Sequence, residues 1–151
     1  MNADDSASLV SLPALAMRRL IGAKQLSPVE LLQACIARIE AVNPAVNALC
    51  ETDFERALAQ ARIAEAAVKL GEALPLLHGL PVGVKDLEDS AGLRTTYGNI
   101  GHRQHVPQAD GVLVQRLRAA GALITAKTNT PDMGAGANTR NAVWGATGTS
   151  T

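Results

Sequence analysis

Aromatic side chains are nearly absent: one Trp, one Tyr and one Phe make up 2% of 151 residues. A core must therefore be built from Ala, Leu, Val and Ile, within the 47% of the chain that is apolar. Net charge is also missing, because 14 Lys and Arg balance 14 Asp and Glu. Without a basic excess nothing draws in a phosphate backbone, which excludes nucleic acid as an expected partner. No apolar run approaches the length that crosses a bilayer, so no membrane association is expected. The start, Met1-Asn2-Ala3-Asp4-Asp5, is acidic and lacks the basic opening of a secretory signal, which points to the cytoplasm. Cysteine is scarce. Cys35 and Cys50 stand in no Cys-x-x-Cys or Cys/His pattern and read as small hydrophobes in a reducing compartment. His78, His102 and His105 have no metal-ligand context, so no metal is expected. His102 and His105 read as solvated in a polar loop, and His78 as packed beside a strand.

What is present is helical up to Gly71 and changes character after it. Pro13–Ile21 reads as a short helix stopped at Gly22. Ser27-Pro28-Val29-Glu30 is a capping box with proline at the first helical position. The helix it opens carries Leu32, Ile36 and Ile39 on one side and is expected to end before Asn43-Pro44. Val46–Cys50 reads as a short strand. Thr52-Asp53 then caps a helix over Phe54–Leu70, closed by Gly71.

The stretch Pro81-Val82-Gly83-Val84-Lys85-Asp86 has the period of a strand. Val82 and Val84 share one face. Gly83 leaves room on the other, and the stem of Lys85 can be buried there. Burial disfavours an ammonium, so such a lysine can serve as a neutral base. A strand-terminal Lys-Asp pair is also the ordinary form of a solvated ending, with a weak surface ion pair. Asp110 can cap a helix over Gly111–Ala120 with the stripe Leu113, Leu117 and Ala120. Ala122–Ala126 follows as a buried strand, with Lys127 after it. Strand, helix, strand implies a right-handed crossover and a parallel pair. Functional groups gather beyond the carboxyl ends of such strands, so Lys85 and the segment after Lys127 are expected to meet. Residues 128–151 show neither a strand nor a helix period and read as a long loop, not fully ordered by itself.

These residues carry a resemblance. Leu77-His-Gly-Leu-Pro-Val-Gly-Val-Lys-Asp followed by Ala91-Gly-Leu-Arg-Thr-Thr-Tyr-Gly resembles the catalytic-lysine region of the amidase signature enzymes. Val114–Pro131 and Gly134–Gly148 extend it in the right order. The family hydrolyses carbon–nitrogen bonds of small amides through a Ser–Ser–Lys triad on a mixed sheet flanked by helices. The resemblance implies an α/β chain: an N-terminal helical layer over residues 1–71, then over 72–151 the first strands and helix of the catalytic core. Lys85 would be the triad lysine, with Met133, Gly134 and Ala135 a wall of the acyl pocket. Asp132-Met133 stands where many members have Glu-Phe, and Leu87-Glu88 where an Asn-Ile pair is common. The family's Gly- and Ser-rich segment that carries both serines is not matched here. Ser150, in Gly148-Thr-Ser-Thr, lacks its pattern and takes no triad role. The 151-residue chain is therefore expected to be inactive alone. Two alternatives stand beside this: a non-catalytic module that self-associates through an uncovered sheet edge, and a protein like the catalytic components of the amidotransferases.

Overall fold

The computed structural model describes residues 8–148. Residues 1–8, small and polar, read from sequence as a loose start; 1–7 of these, and Ser150, lie outside the described residues. In chain order the elements are α1 (Ala14–Gly22), α2 (Pro28–Val46), β1 (Leu49–Thr52), α3 (Phe54–Leu70), β2 (Pro81–Lys85), α4 (Val112–Ala119), β3 (Leu123–Thr128), β4 (Arg140–Asn141) and β5 (Gly145–Ala146). Short 3-10 turns occupy Ile100–His102 and Asp132–Gly134. The main sheet has the order β1-β3-β2, and β4 pairs with β5 in a small hairpin. β1 runs antiparallel to β3, with Glu51 opposite Lys127. β2 runs parallel to β3: Leu123 N–H donates to Leu80 O at 2.8 Å, and Asp86 N–H to Thr128 O at 2.9 Å. The sheet is thus mixed and the expected parallel crossover pair is present. Among the described residues no helix is long and apolar enough to cross a membrane.

The chain divides into two compact units, each assembled from separated segments. Among the described residues the first takes 8–41, 54–82 and 117–124. Its core is aliphatic: Ile21, Leu26, Leu31, Val68 and Leu80 form one cluster, and Leu32, Ala57, Ala61 and Leu123 another. α3 buries Ala57, Ala61, Ala64 and Val68. These recur at the i, i+4, i+7 spacing of one helical face. Small side chains there let a neighbour approach closely, which is how a core forms with few aromatics. Ser27 caps α2, its Oγ accepting from Val29 N–H at 3.0 Å and Glu30 N–H at 3.4 Å and donating to Glu65 Oε1 at 2.5 Å. Gly71, at φ 75°, ends α3 with a paired closure: Gly71 N–H donates to Val68 O and Glu72 N–H to Ala67 O. Gly121 (φ 88°) is required by contact as well as by conformation, because a Cβ there would lie 2.8 Å from His78 Cα. His78 is buried, its Nε2 2.9 Å from Ala64 O.

Four local expectations are corrected. α2 does not stop before Asn43-Pro44 but continues to Val46. A proline in the last turn forfeits only one helical bond, and the Asn43 side chain supplies the closure. Its Oδ1 accepts from Ala48 N–H at 3.0 Å and Leu49 N–H at 2.9 Å. The following strand accordingly starts at Leu49 rather than Val46. The buried face of α2 is Leu31, Leu32 and Ala34, with Ile36 and Ile39 only half-buried. In α4 the fully buried residue is Val114, while Leu113 is 48% exposed. Val112, Leu113 and Val114 are consecutive apolar residues, so periodicity fits more than one phase and packing selects between them.

The candidate amidase site

The second unit comprises residues 42–53, 83–116 and 125–151, of which those up to 148 are described. In β2, Val84 is buried while Gly83 and Lys85 are exposed. The stem of Lys85 is therefore not covered as the sequence suggested. Lys127 is the lysine taken out of solvent, at 0% exposure. Its Nζ donates to Glu88 O, to Ser90 Oγ at 3.2 Å and to Thr95 Oγ1 at 3.1 Å. Both hydroxyls pass their own protons on, Ser90 Oγ to Glu88 O at 3.3 Å and Thr95 Oγ1 to Leu93 O at 3.1 Å. Their lone pairs are left for an ammonium. Burial pushes the Lys127 amine below the ordinary lysine range, and the charges of Asp86, Cys50, Asp89 and Glu88 push it back up.

Asp86 is also fully buried. Its Oδ1 accepts from Thr96 N–H at 2.9 Å. Its Oδ2 accepts from Thr96 Oγ1 at 2.5 Å and from the Trp144 indole Nε1 at 2.9 Å. Trp144 carries the Arg94 guanidinium over its ring at 4.3 Å, and Arg94 pairs with Glu51 at 2.6 Å. Behind Trp144 lies an asparagine relay. Asn141 Oδ1 accepts from Val143 N–H at 2.9 Å and Trp144 N–H at 2.7 Å. Its Nδ2 donates to Asn129 Oδ1 at 2.8 Å and Thr130 O at 2.7 Å. The segment after β3, read as a loop, is thus organised by side-chain bonds to backbone. The backbone next to Lys85 meets that next to Lys127, Asp86 N–H donating to Thr128 O.

Met133 and Gly134 have φ of 49° and 72°. The Met133 side chain is 58% exposed. Met133 N–H donates to Tyr97 O at 2.7 Å, Gly134 N–H to Pro131 O and Ala135 N–H to Asp132 O at 2.9 Å each. All three donors of this loop are engaged within the chain. At Gly134 a Cβ would sit 2.7 Å from Leu87 Cδ1. Gly134→Ala is expected to lower stability by about 1–3 kcal/mol through left-handed strain and that overlap, read from the urea midpoint.

Tyr97 donates to Asp89 Oδ1 at 2.5 Å, and the imidazoles of His102 and His105 lie against its ring at centroid distances of 5.1 and 5.8 Å. Both histidines thus pack on the tyrosine. Burial, the Asp89 hydrogen bond and the charges of Asp89 and Asp86 push the phenol up to about 12. Because the folded value lies above the unfolded one, its contribution is complete below pH 10 and is lost as pH rises toward 12. Tyr97 is the only tyrosine, so absorbance at the phenolate band reads it alone. Ionisation is expected near 12 in the folded chain and near 10 in urea.

Burial raises both thiols, that of Cys50 to about 12 with help from the Asp86 charge. Among the described residues no group of three or more His, Cys, Asp or Glu is placed to hold a metal.

The Amidase family model matches residues 30–150. The chain belongs to the amidase family. It is 38% identical over 136 residues to an acylamidase of Rhodococcus erythropolis, which covers 90% of this chain and 28% of that one. It is equally identical, with the same coverage, to one component of the glutamyl-tRNA(Gln) amidotransferase of Roseiflexus castenholzii. The solved 6-aminohexanoate cyclic dimer hydrolase superposes with a TM-score of 0.79 at 34% identity, over 90% of this chain and 27% of that one. The chain therefore spans under a third of the length of these relatives. Within this amidase segment sequence reasoning named Lys85, Met133, Gly134 and Ala135. It missed the network of Asp86, Thr96, Trp144, Asn141 and Asn129 and, separate from it, the buried Lys127. The one available signal was a lysine continuous with the apolar run Ala122–Ala126.

Proposed function

We propose that the whole protein hydrolyses the carbon–nitrogen bond of a small amide, with Lys85 as the proton acceptor of a Ser–Ser–Lys relay. The observation that supports this most directly is the placement of Lys85. It stands exposed at the carboxyl end of a strand in a parallel pair, where α/β sheets present reacting groups. In this reading a neutral Lys85 amine takes the proton of a bridging serine, which takes that of the nucleophilic serine. The serine oxygen attacks the amide carbonyl, the amine leaves with a proton, and water releases the acid. Met133, Gly134 and Ala135 wall the acyl side. The N–H groups of that loop are engaged, so the oxyanion donors belong elsewhere. These 151 residues supply the lysine alone, so by themselves they are inactive. No metal or organic cofactor enters this chemistry, and its place is the cytoplasm.

The test is amine or ammonia release from a panel of amides by the longest natural product carrying these residues, compared with its Lys85→Ala variant. Hydrolysis by the 151-residue chain itself would refute the reading. Equal identity to the amidotransferase component favours, as a second reading, a role within such a complex. The position of β2 at one edge of the sheet leaves a third, a non-catalytic chain that self-associates there.

A further inference from the structure

Asp86 sits next to the proposed base, yet it has no exposure at all. A buried carboxylate is tolerated only when its lone pairs are met by donors. Here three are aimed at it: Thr96 N–H, Thr96 Oγ1–H and Trp144 Nε1–H. The donors are themselves held. Thr96 Oγ1 accepts from Gly98 N–H at 3.1 Å, and Trp144 N–H is bonded to Asn141 Oδ1. The Asp86 peptide is fixed too, through its N–H to Thr128 O. Successive side chains of a strand point to opposite faces. An inward Asp86 locked in this way obliges Lys85 to leave by the other face, and a one-residue slip would exchange them.

We infer that Asp86 is the positioning residue for Lys85: the Thr96–Trp144 clamp on its carboxylate sets the last peptide of β2 and with it the direction of the lysine. This rests on the reading of Lys85 as the proton acceptor. Asparagine at 86 keeps the shape but replaces one acceptor oxygen by a donor facing donors.

Amide hydrogen exchange on this chain tests it. In Asp86→Asn the N–H groups of Asp86 and Glu88 are expected to exchange about tenfold faster or more, while Ala61 and Leu123 stay within about twofold of wild type. Acceleration of all four in step with a lower urea midpoint would mean that Asp86 merely stabilises, and unchanged exchange at residue 86 would mean that the clamp holds nothing. Either overturns the inference. Should Asp86→Asn fail to fold, Trp144→Phe and Thr96→Val each remove one donor and are expected to loosen the same two amides, with Thr96→Ser restoring them. In the longer enzyme Asp86→Asn is expected to lower kcat about tenfold or more with KM unchanged. Survival of hydrolysis in Lys85→Ala, by contrast, sinks the underlying reading whatever the exchange shows.

Discussion

Replacing Lys127 by methionine is expected to cost about 1–3 kcal/mol of stability, the size of the loss when a buried acceptor is left without its donor. Methionine fills most of the lysine stem, so little of the loss comes from packing. It comes from what the ammonium leaves behind. Glu88 O, Ser90 Oγ and Thr95 Oγ1 lose their donor, and the buried Asp86 carboxylate loses a compensating charge. Urea unfolding followed by Trp144, the single tryptophan, measures this. An unchanged midpoint would show that the three oxygens find other donors. The pH dependence carries a second signature. The folded amine binds its proton less tightly than the ordinary value of 10.5. Between the folded value and 10.5 the unfolded chain holds more protons, so this group makes stability rise with pH in that alkaline window. The rise is expected in wild type and absent in Lys127→Met, superimposed on the Tyr97 loss that begins near pH 10.

Two lysines with similar local sequence thus have opposite surroundings, and that contrast marks where the sequence stops being legible. Val84-Lys85-Asp86 and Ala126-Lys127-Thr128 both close an apolar strand. A period of two assigns each side chain to a face, but it does not say what covers that face. Ser90 and Thr95 cover Lys127 from 37 and 32 residues away, and no local pattern announces them. Signals closed within a few residues were readable. Phe54–Leu70 was bounded correctly by Thr52-Asp53 and Gly71, and β2 by its alternation. The family and the mixed α/β sheet were legible because three motif blocks stand in order. The phase of α2 and α4 was not, because adjacent apolar residues fit two faces equally. The segment after β3 looked structureless for a different reason. Its order comes from Asn129 and Asn141 bonding to backbone, which has no period.

Lys85→Ala is expected to separate function from fold. The side chain is exposed, and surface substitutions away from special features change stability by about 0.5 kcal/mol or less. The urea midpoint of this chain should therefore hardly move, in contrast to Lys127→Met. Activity of the longer enzyme should respond in the opposite sense. On the proposed relay, removing Lys85 leaves a serine hydroxyl that must ionise unaided, and positioned acid–base groups contribute on the order of 100- to 10,000-fold. A fall in kcat of that size, with KM little changed, is the result the proposed relay predicts, because in it the lysine acts on the serines rather than on the bound amide. If Lys127→Met removed activity while remaining folded, and Lys85→Ala did not, the buried lysine would be the base and the roles argued for the two residues would be exchanged.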